Sequence, residues 1–359
     1  MSVFMRPGDA DDGVYRPILR PRRGELSALH HLDAAAARLV MPIVELGSQD
    51  RLPQLIKQVP PRTTAVGVDL GAVPDPAGSL VSPPLDLAEE LAELGVAMLP
   101  VLRAYDSSRR LSEHGLAARM HLMRAVLRLQ PHLDVRNSAE ATATTSRLLT
   151  GAGLDPERVD LLIDLAETAC AAHAYRIEER ARQVLRWART MPWRSVTVAA
   201  GAMPPNLDDL PADEPVTVGR LDAQVWARLK EPGVGYADYG VTSPVRRNGV
   251  NHRQLPTLRY TTERDWWIYR WARRGGRSDD RCHDLCRTLV GSPHWPAEGA
   301  RFSWGDAEIA RRARSARGGG SPASWIAWST SHHIAHVLHS LTPEPSASFS
   351  RPSKPRRRP

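Results

Sequence analysis

Eight short apolar runs alternate with segments of helical period, and this alternation limits the fold more than any other feature of the chain. The segments between the runs, such as "AYRIEERARQVLRWARTM", place apolar residues at helical spacing among charges. Units of this kind without hairpin turns are typical of parallel β/α architecture. The predicted strands are "YRPILRP" (15–21), "LVMPIVELG" (39–47), "TAVGVDLG" (64–71), "VAMLPVLRAY" (96–105), "HLDVRN" (132–137), "VDLLIDLA" (159–166), "SVTVAAGA" (195–202) and "GYADYGV" (235–241).

Two architectures contain such units: a closed (β/α)8 barrel of the TIM type and an open doubly wound sheet. A count of eight is that of the barrel. No Gly-x-Gly-x-x-Gly motif follows the first run, which removes the best signal of a dinucleotide-binding open sheet. We predict the barrel, with the open sheet as the alternative.

One of the segments between the runs is predicted to be a single long helix. In "SEHGLAARMHLMRAVLRL", the apolar residues Leu116, Met120, Met123 and Leu127 recur at helical spacing.

The character of the chain changes after about residue 245, where seven of the ten tryptophans lie. We predict a flexible N-terminus (1–13), a barrel (14–244), a Trp-rich C-terminal elaboration packed on it (245–341) and a disordered basic tail (342–359). No apolar stretch has the ~18 residues of a membrane span, and no signal peptide is recognisable. Three cysteines form no disulfide framework, so we expect a cytoplasmic protein.

Almost every predicted strand ends in a charged residue, although buried parallel strands are normally apolar throughout. In a barrel these strand ends surround one mouth, so the side chains would converge there. Buried charges are costly unless they are paired, hydrated or bound to a ligand. The series is Arg20, Glu45, Asp69, Arg103, Arg136, Asp164 and Asp238, followed by Tyr239.

The mixture of charges suggests a phosphate- or carboxylate-bearing ligand gripped by Arg20, Arg103 and Arg136. The acids would supply general acid–base chemistry or hold a hard cation such as Mg²⁺. A salt-bridge belt without any ligand is the alternative. Two residues of "LRYTTERDWWIYR", Arg259 and Tyr260, join the ligand-binding candidates.

Two adjacent histidines, His332 and His333, interrupt the apolar run "WIAWSTSHHIAHVL". If the C-terminal segment caps the mouth, a histidine would reach the acids as a proton donor or metal ligand. Adjacent residues on a helix point about 100° apart, so only one of the two would face the pocket. The alternative is that both are polar groups of the core.

An ordered set of motifs resembles the Beta protein family of phages, prophages and bacterial mobile elements. They are "YRPILRPRRGELSALHHL", "MPIVEL", "GVDLG", "LPVLR", "DLLIDL", "ADYG", "LRYTTERDWWIYR", "FSWGDAEIARRA" and "TSHHIAHV", within residues 14–341. The resemblance implies a phage- or defence-associated context and one large domain, without a defined activity. The arginine at position 20, where the family is associated with lysine, excludes imine chemistry there.

These observations lead to two hypotheses from different classes. In the first, a phage-associated barrel binds a small phosphate-bearing ligand in a charged pocket at its mouth, with or without hydrolysing it. In the second, a degenerate barrel without enzymatic activity binds a phage or host protein or a nucleic acid.

Overall fold

Eight parallel strands close into a barrel in the computed structural model. The structure describes residues 15–48, 50–75, 81–168, 170–245, 255–272, 279–315 and 318–342, without the side chains of residues 279 and 280. The first strand pairs with both the second and the last, so no edge remains and the open-sheet alternative is excluded. In order, the strands are β1 (Tyr15–Leu19), β2 (Ile43–Gly47), β3 (Ala65–Ala72), β4 (Ala97–Arg103), β5 (Ala125–Leu129), β6 (Val159–Glu167), β7 (Ser195–Gly201) and β9 (Val234–Asp238).

Helices on the outside connect consecutive barrel strands. Apolar side chains from alternate strand positions, such as Ile18, Ile43 and Leu162, fill the barrel interior. The helices are α1 (Arg23–His30), α2 (Ala34–Leu39), α3 (Leu52–Gln58), α4 (Pro83–Glu93), α5 (Ser108–Met120), α6 (Ser138–Ala152), α7 (Ala171–Ala188) and α8 (Leu221–Leu229).

The barrel prediction is confirmed, and the predicted fifth strand is wrong. The strand expected at residues 132–137 lies instead at Ala125–Leu129. The helix expected to reach Leu127 ends at Met120, and Met123 has a left-handed φ of 52°. Leu116, Met120 and Met123 are exposed rather than buried, so their helical spacing does not mark a core face.

The C-terminal region shares a sheet with a segment inserted between β7 and β9. This segment, β8 (Pro215–Gly219), lies within the range predicted for the barrel, yet it pairs antiparallel with β11 (Asp265–Arg270), which pairs with β10 (Thr257–Thr261). Three further helices follow: α9 (Asp279–Val290), α10 (Trp304–Arg314) and α11 (Pro322–Leu341). The predicted flexible N-terminus and the basic tail lie outside the described residues, except Thr342.

Helix α11 joins this second layer to the barrel. It packs along α1 on one side and against β10 and α10 on the other. Trp325 and Trp328 are buried in the cluster between β10, α9 and α10, whereas Ile334 and Val337 belong to the barrel's outer core. One helix therefore contributes to two cores, which holds the C-terminal sheet against the barrel.

The crossing of α10 and α11 requires a glycine. A Cβ atom at Gly305 would lie 2.1 Å from the Trp328 carbonyl oxygen, closer than any real contact. Because the clashing atom is backbone, neither helix can yield without a shift in packing.

We predict that Gly305→Ala lowers the free energy of unfolding by about 1–3 kcal/mol, as overpacking does. Gly291→Ala is the matched control, because its Cβ would meet only atoms at 3.4 Å and beyond. Denaturant unfolding of both variants measures the difference. Equal stabilities would show that the helices cross less closely than described.

Candidate functional site

A network of inward-facing side chains surrounds Arg128 at the carboxyl ends of the strands. Arg128, on β5, is 1% exposed and uses all five of its N–H groups. Its Nε and Nη2 donate to Asp164 at 3.0 and 2.8 Å. Its Nη1 donates to Glu45 at 2.8 Å and to Asp69 at 2.6 Å, and Nη2 also donates to the Tyr239 hydroxyl at 2.7 Å. One guanidinium thus joins β2, β3, β6 and the residue after β9.

A second arginine extends this network toward solvent. Arg103 donates to Asp69 at 2.9 Å and to Gln130 at 3.0 Å, and its guanidinium lies 5.3 Å from the centre of the Tyr105 ring. Above the two arginines is a cavity of about 280 Å³, which we name the mouth cavity. Its lining is Glu45, Leu46, Asp69, Gly71, Ala72, Arg103, Tyr105, Arg128, Gln130, Ala166, Glu167, Tyr239, Pro244 and Val245.

The two arginines keep Asp69 and Asp164 ionised. Burial by itself would raise the pKa of Asp69, but Arg103 and Arg128 outweigh burial and lower it to about 2. Burial likewise opposes ionisation of Asp164, yet Arg128 holds its pKa below the ordinary value. Among the described residues, no group of three or more His, Cys, Asp or Glu side chains is arranged to hold a metal ion.

Most of the predicted strand-end residues meet in this network. Glu45, Asp69, Arg103, Asp164 and Tyr239 belong to it. Arg20 lies at its border, with Nη1 3.9 Å from Glu45 and Nη2 donating to the carbonyl oxygens of Ser243 and Pro244. Whether any of these residues acts on a ligand stays a prediction.

The placement of Arg136 at the mouth is wrong. Its side chain is 90% exposed and pairs with Glu140 in the first turn of α6, which begins two residues after Arg136. The error follows from the misplaced fifth strand, because the inward arginine of that strand is Arg128. The sequence "AVLRL" indicates the position of Arg128, because one arginine interrupts an apolar run there as Arg103 does in "PVLRAY". Arg103 and Arg128 are register partners on the neighbouring strands β4 and β5.

The placement of Asp238 at the mouth is also wrong. Successive residues of a strand face opposite sides, so Tyr239 points inward and Asp238 points outward, toward α11. Asp238 accepts hydrogen bonds from Tyr15 at 2.5 Å and Tyr236 at 2.9 Å, and lies 2.8 Å from His333 Nε2. Burial opposes its ionisation, but His333 overcomes this and lowers the pKa.

Neither histidine reaches the mouth cavity. His333 joins Asp238 to the Thr261 hydroxyl, which is 2.9 Å from its Nδ1. His332 lies 3.0 Å from Asp306 and 2.9 Å from the Thr261 carbonyl oxygen.

Tyr260 stacks on His332 with ring centres 3.7 Å apart, and its hydroxyl donates to Asp306 at 2.7 Å. His332, His333 and Tyr260 are buried polar groups that connect α11 to β10 and to the outer wall of the barrel. The expected placement of a histidine and of Tyr260 at the pocket is therefore wrong.

A larger cavity of about 610 Å³ adjoins the mouth cavity, with Arg20 bordering both and Val245 lining both. We name it the arginine groove. It lies between the loops that follow β1, β7 and β9 and the start of α11. Its lining is Arg20, Arg22, Arg23, Gly24, Pro204, Pro205, Asn206, Leu207, Asp208, Thr242, Ser243, Val245, Leu255, Thr257, Arg259, Arg270, Pro322, Ala323, Trp325 and Ile326.

The charges of the groove are unbalanced. Arg270 is paired with Asp208 at 2.9 Å. The side chains of Arg22 and Arg23 form no hydrogen bond or ion pair with described residues, and Arg259 donates to the Val241 carbonyl oxygen at 2.7 Å without a paired carboxylate among them. Arg259 was among the residues predicted to bind a ligand, whereas Arg22 and Arg23 were not, although both lie in "RPRRG" at the end of the first strand.

The family model of the Beta protein family matches residues 15–339. The chain belongs to the Beta protein family. This confirms the resemblance drawn from the motifs. No curated protein matches the sequence. No helix within the described ranges is both long and apolar enough to cross a membrane.

Several solved barrel structures are distantly similar. Triosephosphate isomerase from Bartonella henselae is 13% identical, with 62% of this chain and 90% of that chain covered and a TM-score of 0.33. Arginine decarboxylase of Paramecium bursaria Chlorella virus, bound to agmatine, is 9% identical, with 62% of this chain and 56% of that chain covered and a TM-score of 0.36. Biosynthetic arginine decarboxylase from Campylobacter jejuni is 10% identical, with 92% of this chain and 56% of that chain covered and a TM-score of 0.34.

We predict that Asp164→Asn lowers the free energy of unfolding by about 3–5 kcal/mol, because it leaves the buried Arg128 charge short of its main partner. Glu140→Gln, in the exposed pair with Arg136, is the control and should cost about 1 kcal/mol or less. Urea unfolding compares the two. A fully stable Asp164→Asn protein would mean that the network does not hold the barrel together.

The lowered pKa of Asp69 predicts a specific acid sensitivity. The pKa of Asp69 is about 2 in the folded state and about 4 in the unfolded state, so ionised Asp69 stabilises the fold above pH 4. This contribution, about 2 kcal/mol, is lost as the pH falls from 4 toward 2. The stability gap between the wild type and Asp69→Asn should therefore shrink between pH 5 and pH 2.5. A constant gap would contradict the assigned ionisation.

Proposed function

We propose that this protein binds a phosphate-bearing ligand, with the phosphate in the arginine groove and the rest of the molecule over the mouth cavity. The observation that carries the proposal is the trio Arg22, Arg23 and Arg259, three arginines on one cavity that form no hydrogen bond or ion pair with a carboxylate among the described residues. Guanidinium groups bind phosphate oxygens through paired N–H donors, and they do so more strongly where water is partly excluded.

The mouth cavity alone would be a poor phosphate site. Arg103 and Arg128 face Glu45, Asp69 and Asp164, so their charge is already offset. A phosphate there would have to displace a carboxylate from a buried pair, which costs several kcal/mol. We therefore propose the arginine groove as the anion site, whereas the sequence led us to expect the phosphate at the barrel mouth itself.

The mouth cavity suits an uncharged polar group. Glu45, Tyr105 and Gln130 line it and bring both acceptors and donors. Because Val245 lines both cavities, one ligand with a phosphate at one end can occupy both. The arginine groove, at about 610 Å³, falls within the range of small-molecule sites, about 300–1,000 Å³, and the mouth cavity, at about 280 Å³, lies just below it.

The proposal is confined to binding. Asp69 and Asp164 are held ionised and hydrogen-bonded to arginines, which suits a positioning role rather than proton donation. The phage-associated and anti-phage context implied by the family resemblance stays a prediction. So does the alternative that the protein binds a protein or nucleic acid.

We predict that Arg22→Gln/Arg23→Gln weakens binding of inorganic pyrophosphate about tenfold or more, since each charge-assisted hydrogen bond contributes about 1.5–3 kcal/mol. Isothermal titration calorimetry at low salt measures the dissociation constant. Because both side chains are exposed and form no bond with described residues, the fold should be unchanged.

The control is Arg136→Gln/Arg176→Gln, which removes the same charge from exposed positions outside the groove. Its affinity should remain within about twofold of the wild type. Absence of pyrophosphate binding by the wild type, or equal losses in the two double variants, would contradict the proposal. Binding of a single-stranded oligonucleotide alone, with the same dependence on Arg22 and Arg23, would favour the nucleic-acid alternative.

A further inference from the structure

A glutamate without a partner lies buried behind the arginine groove. Glu25 is in the first turn of α1 and is 0% exposed. Neither of its carboxyl oxygens has a hydrogen-bond partner among the described residues. The preceding residue, Gly24, lines the groove, and the arginines that act on the Glu25 carboxyl group, Arg20, Arg22 and Arg259, line it as well.

The arginines that line the groove also act on Glu25. Burial raises the pKa of Glu25 to about 7, against the opposing charges of Arg22, Arg20 and Arg259. The backbone N–H of Arg20 also stabilises the Glu25 carboxylate, although its distance or angle to the carboxyl oxygens is not that of a hydrogen bond. Burial lowers the pKa of Arg259 to about 10, and Glu25 partly offsets this. Glu25 therefore titrates near neutral pH in the field of the groove's own charges.

The charges that act on Glu25 come from the segment after β1 and from β10. The side of α11 against the start of α1 presents Ala323 and Ile326, which lie nearest to Gly24. His30 and His31 lie at the far end of α1, where their ring nitrogens contact the carbonyl oxygens of Pro60 and Ser27. Arg20, Arg22 and Arg259 are thus the charged groups coupled to this carboxyl group.

We propose that anion binding in the arginine groove is coupled to uptake of one proton, which Glu25 receives from solvent. The inference rests on the proposed function. An anion among the arginines offsets the positive field that favours the Glu25 carboxylate. The neutral carboxylic acid becomes the more stable form when the anion is bound, so binding and protonation favour each other.

The sign of the pH dependence follows. Above pH 7 the free protein carries a Glu25 carboxylate, and the anion must bind near this negative charge or bring in a proton. Below pH 7 the Glu25 carboxyl group is already neutral, so the anion binds without repulsion from it and without proton uptake. Affinity should therefore rise as the pH falls from 8 to 6, by up to about tenfold for an upward pKa shift of one unit on binding.

The test uses sulfate as the probe, because it keeps one charge state across this range. Calorimetric titration of the full chain at pH 6, 7 and 8, in buffers of different ionisation enthalpy, gives both affinity and proton uptake. The wild type should bind more weakly at pH 8 and take up a fraction of a proton at pH 7. Glu25→Gln should bind with nearly constant affinity and without proton uptake.

Glu113→Gln is the matched control, because Glu113 is another largely buried glutamate, paired with Arg109 at 2.8 Å and outside the groove. It should keep the pH dependence of the wild type. If sulfate and pyrophosphate bind through Arg22 and Arg23 but without pH dependence or proton uptake, the inference fails and the proposed function stands. If neither anion binds at any pH, the proposed function fails and the inference with it.

Discussion

The buried guanidinium of Arg128 is the contact on which the arrangement of the barrel mouth depends. Its five N–H groups are shared among Glu45, Asp69, Asp164 and Tyr239, which come from separate strands or directly follow one. A planar group with donors in fixed directions can satisfy several carboxylates only if their strands keep a constant register. The network therefore sets the relative heights of the strand ends, at the cost of burying several charges.

A second polar cluster performs the corresponding task on the outside of the barrel. Asp238 and His333 connect the last strand to α11, and Thr261 continues the connection to β10. These contacts place the C-terminal sheet beside the loops after β1 and β9. The arginine groove exists only because these two parts of the chain meet there, and its charge remains unbalanced because the acids of the mouth are already used by Arg128 and Arg103.

The charges around the barrel mouth form two sets with different surroundings. Within the mouth, arginines and acids neutralise each other and hold the structure. Outside it, Arg22, Arg23 and Arg259 form no ion pair with a carboxylate among the described residues. Glu25 lies between these roles, because it is close enough to experience the groove charges and too deeply buried to be solvated.

The sequence by itself determined the barrel, the family and most of the mouth. The alternation of apolar runs with helical segments is a local property, and an inward charge at a strand end is readable wherever the strand is placed correctly. Glu45, Asp69, Arg103 and Asp164 could be recognised for this reason. The fifth strand could not, because the apolar spacing from Leu116 to Leu127 fits a helix equally well, and only the pairing of β5 with β4 and β6 decided between them.

The tertiary structure alone decided which charges face a cavity. Whether Asp238 points inward depends on the strand register, which one residue reverses. That His332 and His333 are held inside the protein depends on where α11 packs, and the partners of both come from distant parts of the chain. The groove has no counterpart in any local pattern, since its walls come from the loops after three barrel strands, from β10 and β11 of the C-terminal sheet, and from the start of α11, which is more than 200 residues away from the first loop in sequence.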